Sequence, residues 1–133
     1  MAHWTERYIG EPYVETENDC AALAARVANE VFGKQVTLPE QRADNPFGRT
    51  AQMRLGAVDL AERIEITFGE RPEDGDVVLM IAAGRVSHVG VYALIDAVPW
   101  VLHAMKNAGM VVLHRMTALP YQGLEIEGYY RWK

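Results

Sequence analysis

Residues 75–116 read GDVVLMIAAGRVSHVGVYALIDAVPWVLHAMKNAGMVVLHRM, and the period of this stretch decides the fold. Asp76 to Ala82 is a short, mostly apolar run bounded by Gly75, as a buried strand requires. A turn at Ala83-Gly84-Arg85 leads into Val86 to Ile95, where β-branched residues and Tyr92 dominate. Trp100 to Met105 and Met110 to Met116 continue the pattern, with Asn107 to Gly109 as a hairpin turn between them. Downstream, Ile126 to Trp132 is a further strand. Immediately upstream, Gly69 to Gly75 holds Pro72 and Asp74-Gly75, which is turn chemistry.

Further upstream the period becomes helical. Cys20 to Phe32 repeats Leu23, Val27 and Val31 every four residues, with Asn18 or Asp19 to cap its start and Gly33 to end it. A shorter helix is predicted over His3 to Ile9, ended by Gly10 and Pro12. Tyr13 to Glu17 and Val36 to Pro46 read as loops, and a further helix is predicted from about Thr50 to Arg63. Helices first and strands afterwards imply an α+β domain with an antiparallel sheet of about five strands.

Length and composition set bounds on the rest. The 133 residues suit one domain spanning 1–133, and no repeat, low-complexity tract or linker divides them. Half of the residues are apolar and 23% are charged, an ordinary globular profile. The net charge of -5, with no dense run of Lys and Arg, disfavours a nucleic-acid partner. The longest apolar run, Val77 to Ala83, is too short to span a bilayer, so no membrane insertion is expected. Met1 to Gly10 lacks the apolar stretch of a secretory signal, which leads us to expect cytoplasmic synthesis. A single cysteine allows no intramolecular disulfide and excludes the multi-cysteine zinc frameworks.

That cysteine is the first candidate for chemistry. Cys20 stands at a helix start, where backbone N–H groups lack intrahelical partners and the helix dipole is positive. Both stabilise a thiolate, and the same N–H groups can donate to the oxyanion of a tetrahedral intermediate. The bland alternative is a small apolar residue facing the core with Leu23 and Ala24. His88 lies in an apolar strand, where an imidazole must find a partner or lose its solvation without return. A satisfied core histidine and a catalytic base both meet that condition. Gly90 permits another backbone to come close. His103, in Trp100-Val101-Leu102-His103-Ala104, is a second polar residue in an apolar strand, able to orient His88 if their strands are neighbours. His3 and His114 read as structural or surface residues, the latter because Arg115 beside it suggests a solvent edge.

Four segments resemble one family. Gly10-Glu11-Pro12-Tyr13 followed by Asn18-Asp19-Cys20-Ala21-Ala22-Leu23 is similar to the nucleophile motif of NlpC/P60 cysteine peptidases. Gly75-Asp76-Val77-Val78 resembles the Gly-Asp turn and strand before that family's histidine strand. His88-Val89-Gly90-Val91-Tyr92 resembles its histidine motif, and Val101-Leu102-His103-Ala104 the strand bearing its third polar residue. The resemblance runs from about Tyr8 to Val112, in the family order of Cys, His, His.

The resemblance implies a papain-like fold with N-terminal helices packed on the sheet. It implies Cys20 as nucleophile, His88 as base, His103 as the residue orienting His88, and Tyr13 as a hydroxyl near the nucleophile that helps hold the oxyanion. Asp19 we read as a helix cap. No cofactor or metal is expected. The implied activity is hydrolysis of a peptide amide in bacterial peptidoglycan, typically between D-γ-glutamyl and diaminopimelate. The aromatic tail Gly128-Tyr129-Tyr130-Arg131-Trp132 is similar to short phage-type members. These are tail-tip or gene-transfer-agent hydrolases, which implies other tail-tip proteins as partners and incorporation into a virion. Family members often carry Trp-Gly-Gly after the tyrosine and Ser-Gly after the cysteine. Here Val14-Glu15-Thr16-Glu17 and Ala21-Ala22 stand there, so substrate identity does not carry over with the motif.

Three other readings use the same residues. A non-catalytic tail-tip protein would keep the fold for assembly, packing through Tyr129, Tyr130 and Trp132. A catalytic zinc would take Cys20, His88 and His103 as ligands with an open fourth position. An acyltransferase on the same fold would share the thiol chemistry.

Overall fold

The strands expected from residue 76 onward form one antiparallel sheet in the computed structural model, which describes residues 3–39, 43 and 45–133, without the side chains of residues 46 and 47. Among the described residues the strands are β1 (Ala61–Ile64), β2 (Val77–Ala82), β3 (Arg85–Ile95), β4 (Val98–Met105), β5 (Met110–Arg115) and β6 (Leu124–Trp132), in the order β1-β6-β2-β3-β4-β5. The sheet therefore has six strands where about five were expected.

The sixth is β1, and it replaces the end of an expected helix. Helix α2 runs Pro46–Asp59, about four residues earlier at both ends than the predicted Thr50 to Arg63. Its start is set by Asn45, whose Oδ1 accepts the Gly48 N–H at 2.8 Å, and by proline in the first turn. Its end yields to strand pairing: Ala61 to Ile64 align with Trp132 to Tyr129 of β6. Arg63 ties the pair together by hydrogen-bonding Glu127 and the Tyr130 hydroxyl. Long-range pairing has overridden a modest helical preference. The expected loop from Val36 to Pro46 lies partly outside the described residues, which omit 40–42 and 44.

Helix α1 covers Cys20–Phe32 as its stripe and caps predicted. Asp19 Oδ1 accepts the Ala22 N–H at 2.9 Å, and Gly33 closes the helix at φ 68°. The expected helix over His3 to Ile9 is only a 3-10 turn, Trp4–Arg7. Seven residues cut off by Gly10 are too few to offset the cost of helix nucleation. The turn is held instead by tertiary contacts: Tyr8 is buried and its hydroxyl donates to Glu30 at 2.6 Å, while the Trp4 indole donates to Asp74 at 2.8 Å.

Both faces of the sheet are covered. On one, α1 brings Leu23 and Val27 against Val77, Leu79, Val89, Val91 and Leu102. On the other, Val78, Met80, Tyr92 and Val101 pack beneath Leu119, carried by the 3-10 segment Met116–Gln122 that links β5 to β6. Strand alternation produces this division, since each strand sends successive side chains to opposite faces. The entry to β2 is locked to β6 by Asp76, a buried carboxylate that accepts two hydrogen bonds from Arg131 at 2.9 and 2.8 Å. Gly75 beside it has φ 94°, and a Cβ there would lie 2.7 Å from the Phe32 ring, so only glycine fits. No helix among the described residues is long and apolar enough to cross a membrane.

Candidate functional site

Cys20 is the first residue of α1 and stands half-buried in the wall of a cleft of about 590 Å³. The cleft opens between the two helices and the strands, with Tyr13, Gln52, Ser87, Val89 and Trp132 among its lining. Because Asp19 takes up the Ala22 N–H and the Leu23 N–H makes the first intrahelical bond, the Cys20 and Ala21 N–H groups are the first-turn donors that helix geometry leaves without an intrahelical acceptor.

Tyr13 is placed by backbone pairing. Its segment runs beside β5: the Gly10 N–H donates to Val111 at 2.9 Å, Val111 returns a bond to Glu11 at 2.8 Å, and the Tyr13 N–H donates to Gly109 at 2.9 Å. A polar brace then joins this segment to α1. Arg26 donates to both carboxylate oxygens of Glu11, at 3.0 and 2.8 Å, and to Asn18 Oδ1 at 2.9 Å, while Asn18 Nδ2 donates to Pro12 O at 3.0 Å. Burial, followed by the negative charges of Glu15 and Cys20, pushes the Tyr13 hydroxyl up to about 12. At neutral pH it remains an O–H donor.

The histidines form a separate assembly. His88 Nε2 lies 2.7 Å from His103 Nδ1, and His103 Nε2 lies 2.9 Å from His114 Nδ1. The three rings therefore run in a line from β3 across β4 to β5, adjacent strands of the sheet. Gly90 makes room for it: a Cβ there would stand 3.1 Å from Leu102 O and 3.2 Å from His103 Cβ. Burial lowers His88 to about 4. Burial first, and then the neighbouring rings, lower fully buried His103 to about 2; burial also lowers His114. All three are neutral at pH 7.

The sheet separates this line from the cysteine. His88 pairs across the strands with Met80, whose side chain belongs to the face covered by Leu119. Its neighbour Val89 packs on the opposite face, with α1 and Cys20. The structure thus joins His88 to His103, adds His114, and sets Tyr13 in the cleft with Cys20. Among the described residues no hydrogen bond joins the thiol to a histidine. The ring nitrogens face one another rather than a common point, and no described group of three or more ligand-type side chains is arranged to hold a metal ion.

His114 is the residue that sequence reasoning set aside as a surface group. A signal for it was present: with a hairpin at Asn107 to Gly109, His103 pairs with Val112, and His114 is two residues further along the same face. Arg115, which suggested a solvent edge, points the other way and stacks on Trp100 at 5.2 Å.

No family model, curated protein or solved structure matches this chain.

Proposed function

We propose that the protein is a cysteine endopeptidase acting on the stem peptides of bacterial peptidoglycan, as a component of a phage or phage-like tail tip. The observation that carries this reading is the position of Cys20: a thiol at the first turn of α1, opening into a cleft large enough for a peptide segment. In the proposed reaction the Cys20 sulfur attacks the amide carbonyl and forms an acyl-enzyme. The Cys20 and Ala21 N–H groups and the Tyr13 O–H donate to the oxyanion, the base passes the proton given up by the thiol to the leaving amine, and water then releases the acid product and restores the thiol. The base is assigned to His88, oriented by His103; the residues on either side of it, Ser87 and Val89, line the cleft.

One observation favours a second reading. The His88 imidazole lies on the far face of β3 from Cys20, which suits a tail-tip protein that keeps the fold for assembly and catalyses nothing.

Digestion of purified peptidoglycan by the wild type beside Cys20→Ala, with mass spectrometry of the released fragments, separates the two. Fragments from the wild type alone support the peptidase and identify the bond. No release from a folded wild type refutes hydrolysis by the free protein and favours the assembly role.

A further inference from the structure

Two consecutive imidazole–imidazole hydrogen bonds impose a rule on the protons. A neutral ring has one N–H and one lone pair, so each contact uses the N–H of one ring and the lone pair of the next. With three rings in line, one choice fixes all of them. Either every ring is protonated at Nε2, with His88 donating to His103 and His103 to His114, or every ring is protonated at Nδ1 and the bonds run the other way.

The surroundings choose between these arrangements. The face is otherwise lined by Val78, Met80, Val101 and Leu119 with the rings of Tyr92 and Tyr129, and burial and the imidazoles themselves are what act on the three histidines. Each arrangement leaves one terminal N–H, on His114 Nε2 or on His88 Nδ1. Both end rings are half-buried, but His88 stands on an inner strand, where burial pushes it down to about 4, whereas His114 is on the outermost strand of the sheet. An unpaired N–H loses more than an unpaired lone pair where solvent is scarcer, so the N–H belongs at His114 on the outer strand, where water can accept it.

We infer that His114 is the open end of a three-imidazole relay in which each Nε2–H donates to the next ring, leaving a lone pair on Nδ1 of His88. His114 is then a positioning residue: it fixes the tautomer of His103 and, through it, that of His88. The line also moves a proton without gathering charge. A proton taken up at His88 Nδ1 shifts one proton along each of the two hydrogen bonds and releases one from His114 Nε2 to water. The rings end neutral, with all three tautomers inverted. The inference stands apart from the peptidase reading; where that reading holds, the relay supplies the lone pair a base requires.

The test is direct observation of the tautomers by long-range proton–nitrogen correlation NMR on protein labelled with 15N-histidine, near pH 7. The wild type is expected to show His88, His103 and His114 all protonated at Nε2. His114→Phe removes the acceptor for His103 Nε2–H, and both His103 and His88 should then lose their single tautomer. His114→Asn, whose amide oxygen falls near the position of Nδ1, should restore it. Differing tautomers among the three wild-type rings overturn the relay, and this holds even if His114→Phe fails to fold. Unchanged His88 and His103 in a His114→Phe protein with a native amide spectrum also overturn it. Because no turnover is read, failure here is distinguishable from failure of the peptidase reading.

Discussion

A buried imidazole that stays neutral is a liability in acid, and His88 and His103 are two of them. In the unfolded chain each takes up a proton near 6.5; in the folded chain each resists until about 4 and about 2. Below 6.5 the unfolded state therefore binds more protons than the native one, and stability falls as the pH falls. The stabilisation is complete above 6.5 and is lost progressively on the way down to the folded values. At about 1.4 kcal/mol per pH unit for each proton, two pH units cost roughly 2–3 kcal/mol per ring. Urea denaturation followed from pH 7 to about pH 4.5 should show this slope. A flat profile would mean that the rings are charged or solvated in the native state. Sequence alone showed His88 and His103 as polar residues in apolar strands, which is why they could be singled out. It did not show the face on which they lie. That depends on the registers of β2, β3 and β4, and a shift of one residue would move each ring to the other side.

At the scale of elements, the legible features were those encoded by local chemistry. Asp19 and Gly33 bound α1 because a carboxylate cap and a left-handed glycine act within a few residues. The hairpin at Ala83-Gly84 was visible through its glycine. The hairpin from β3 to β4 was hidden, because Asp96 and Ala97 take φ values of 51° and 63° with no glycine to announce them. Two consecutive positive φ angles are what a tight two-residue turn between twisted strands requires, and Asp-Gly is its preferred dipeptide. Ala97 adopts this conformation at a steric cost of about 1–2 kcal/mol, against the roughly 0.5–1 kcal/mol of extra chain entropy that glycine loses on folding. Ala97 is exposed, so removing its methyl group sacrifices no packing. Ala97→Gly should therefore stabilise the protein by about 0.5–1 kcal/mol, read as a higher denaturation midpoint with an unchanged slope. A lower midpoint would refute the turn geometry. The short strand β1 was invisible for a different reason: its pairing with Tyr129 to Trp132 is a contact across the chain, and Ala61 to Ile64 carries no pattern of its own.

The whole molecule is a sheet with two unlike faces, and the candidate chemistry is divided between them. Helices, cleft and thiol occupy one face; the histidine line and the 3-10 segment occupy the other. The α+β class followed from the segregation of periods along the chain, whereas the division of Cys20 from His88 emerges only when the strands are assembled. This arrangement makes the cleft the approach to the thiol, with exposed Ser87 in its lining. A bulky side chain there should obstruct large reagents and spare small ones. In Ser87→Trp, labelling of Cys20 by a large maleimide should slow about tenfold while labelling by iodoacetamide stays within about twofold, since thiol reactivity depends on access as well as on thiolate character. Equal slowing of both reagents would mean that the cysteine itself had been disturbed, and no slowing of either would remove Ser87 from the route to the thiol. If the peptidase reading holds, the same substitution should reduce fragment release from peptidoglycan while iodoacetamide labelling stays normal, because a stem peptide must enter as the large reagent does. Release undiminished in Ser87→Trp would place the substrate somewhere other than this cleft.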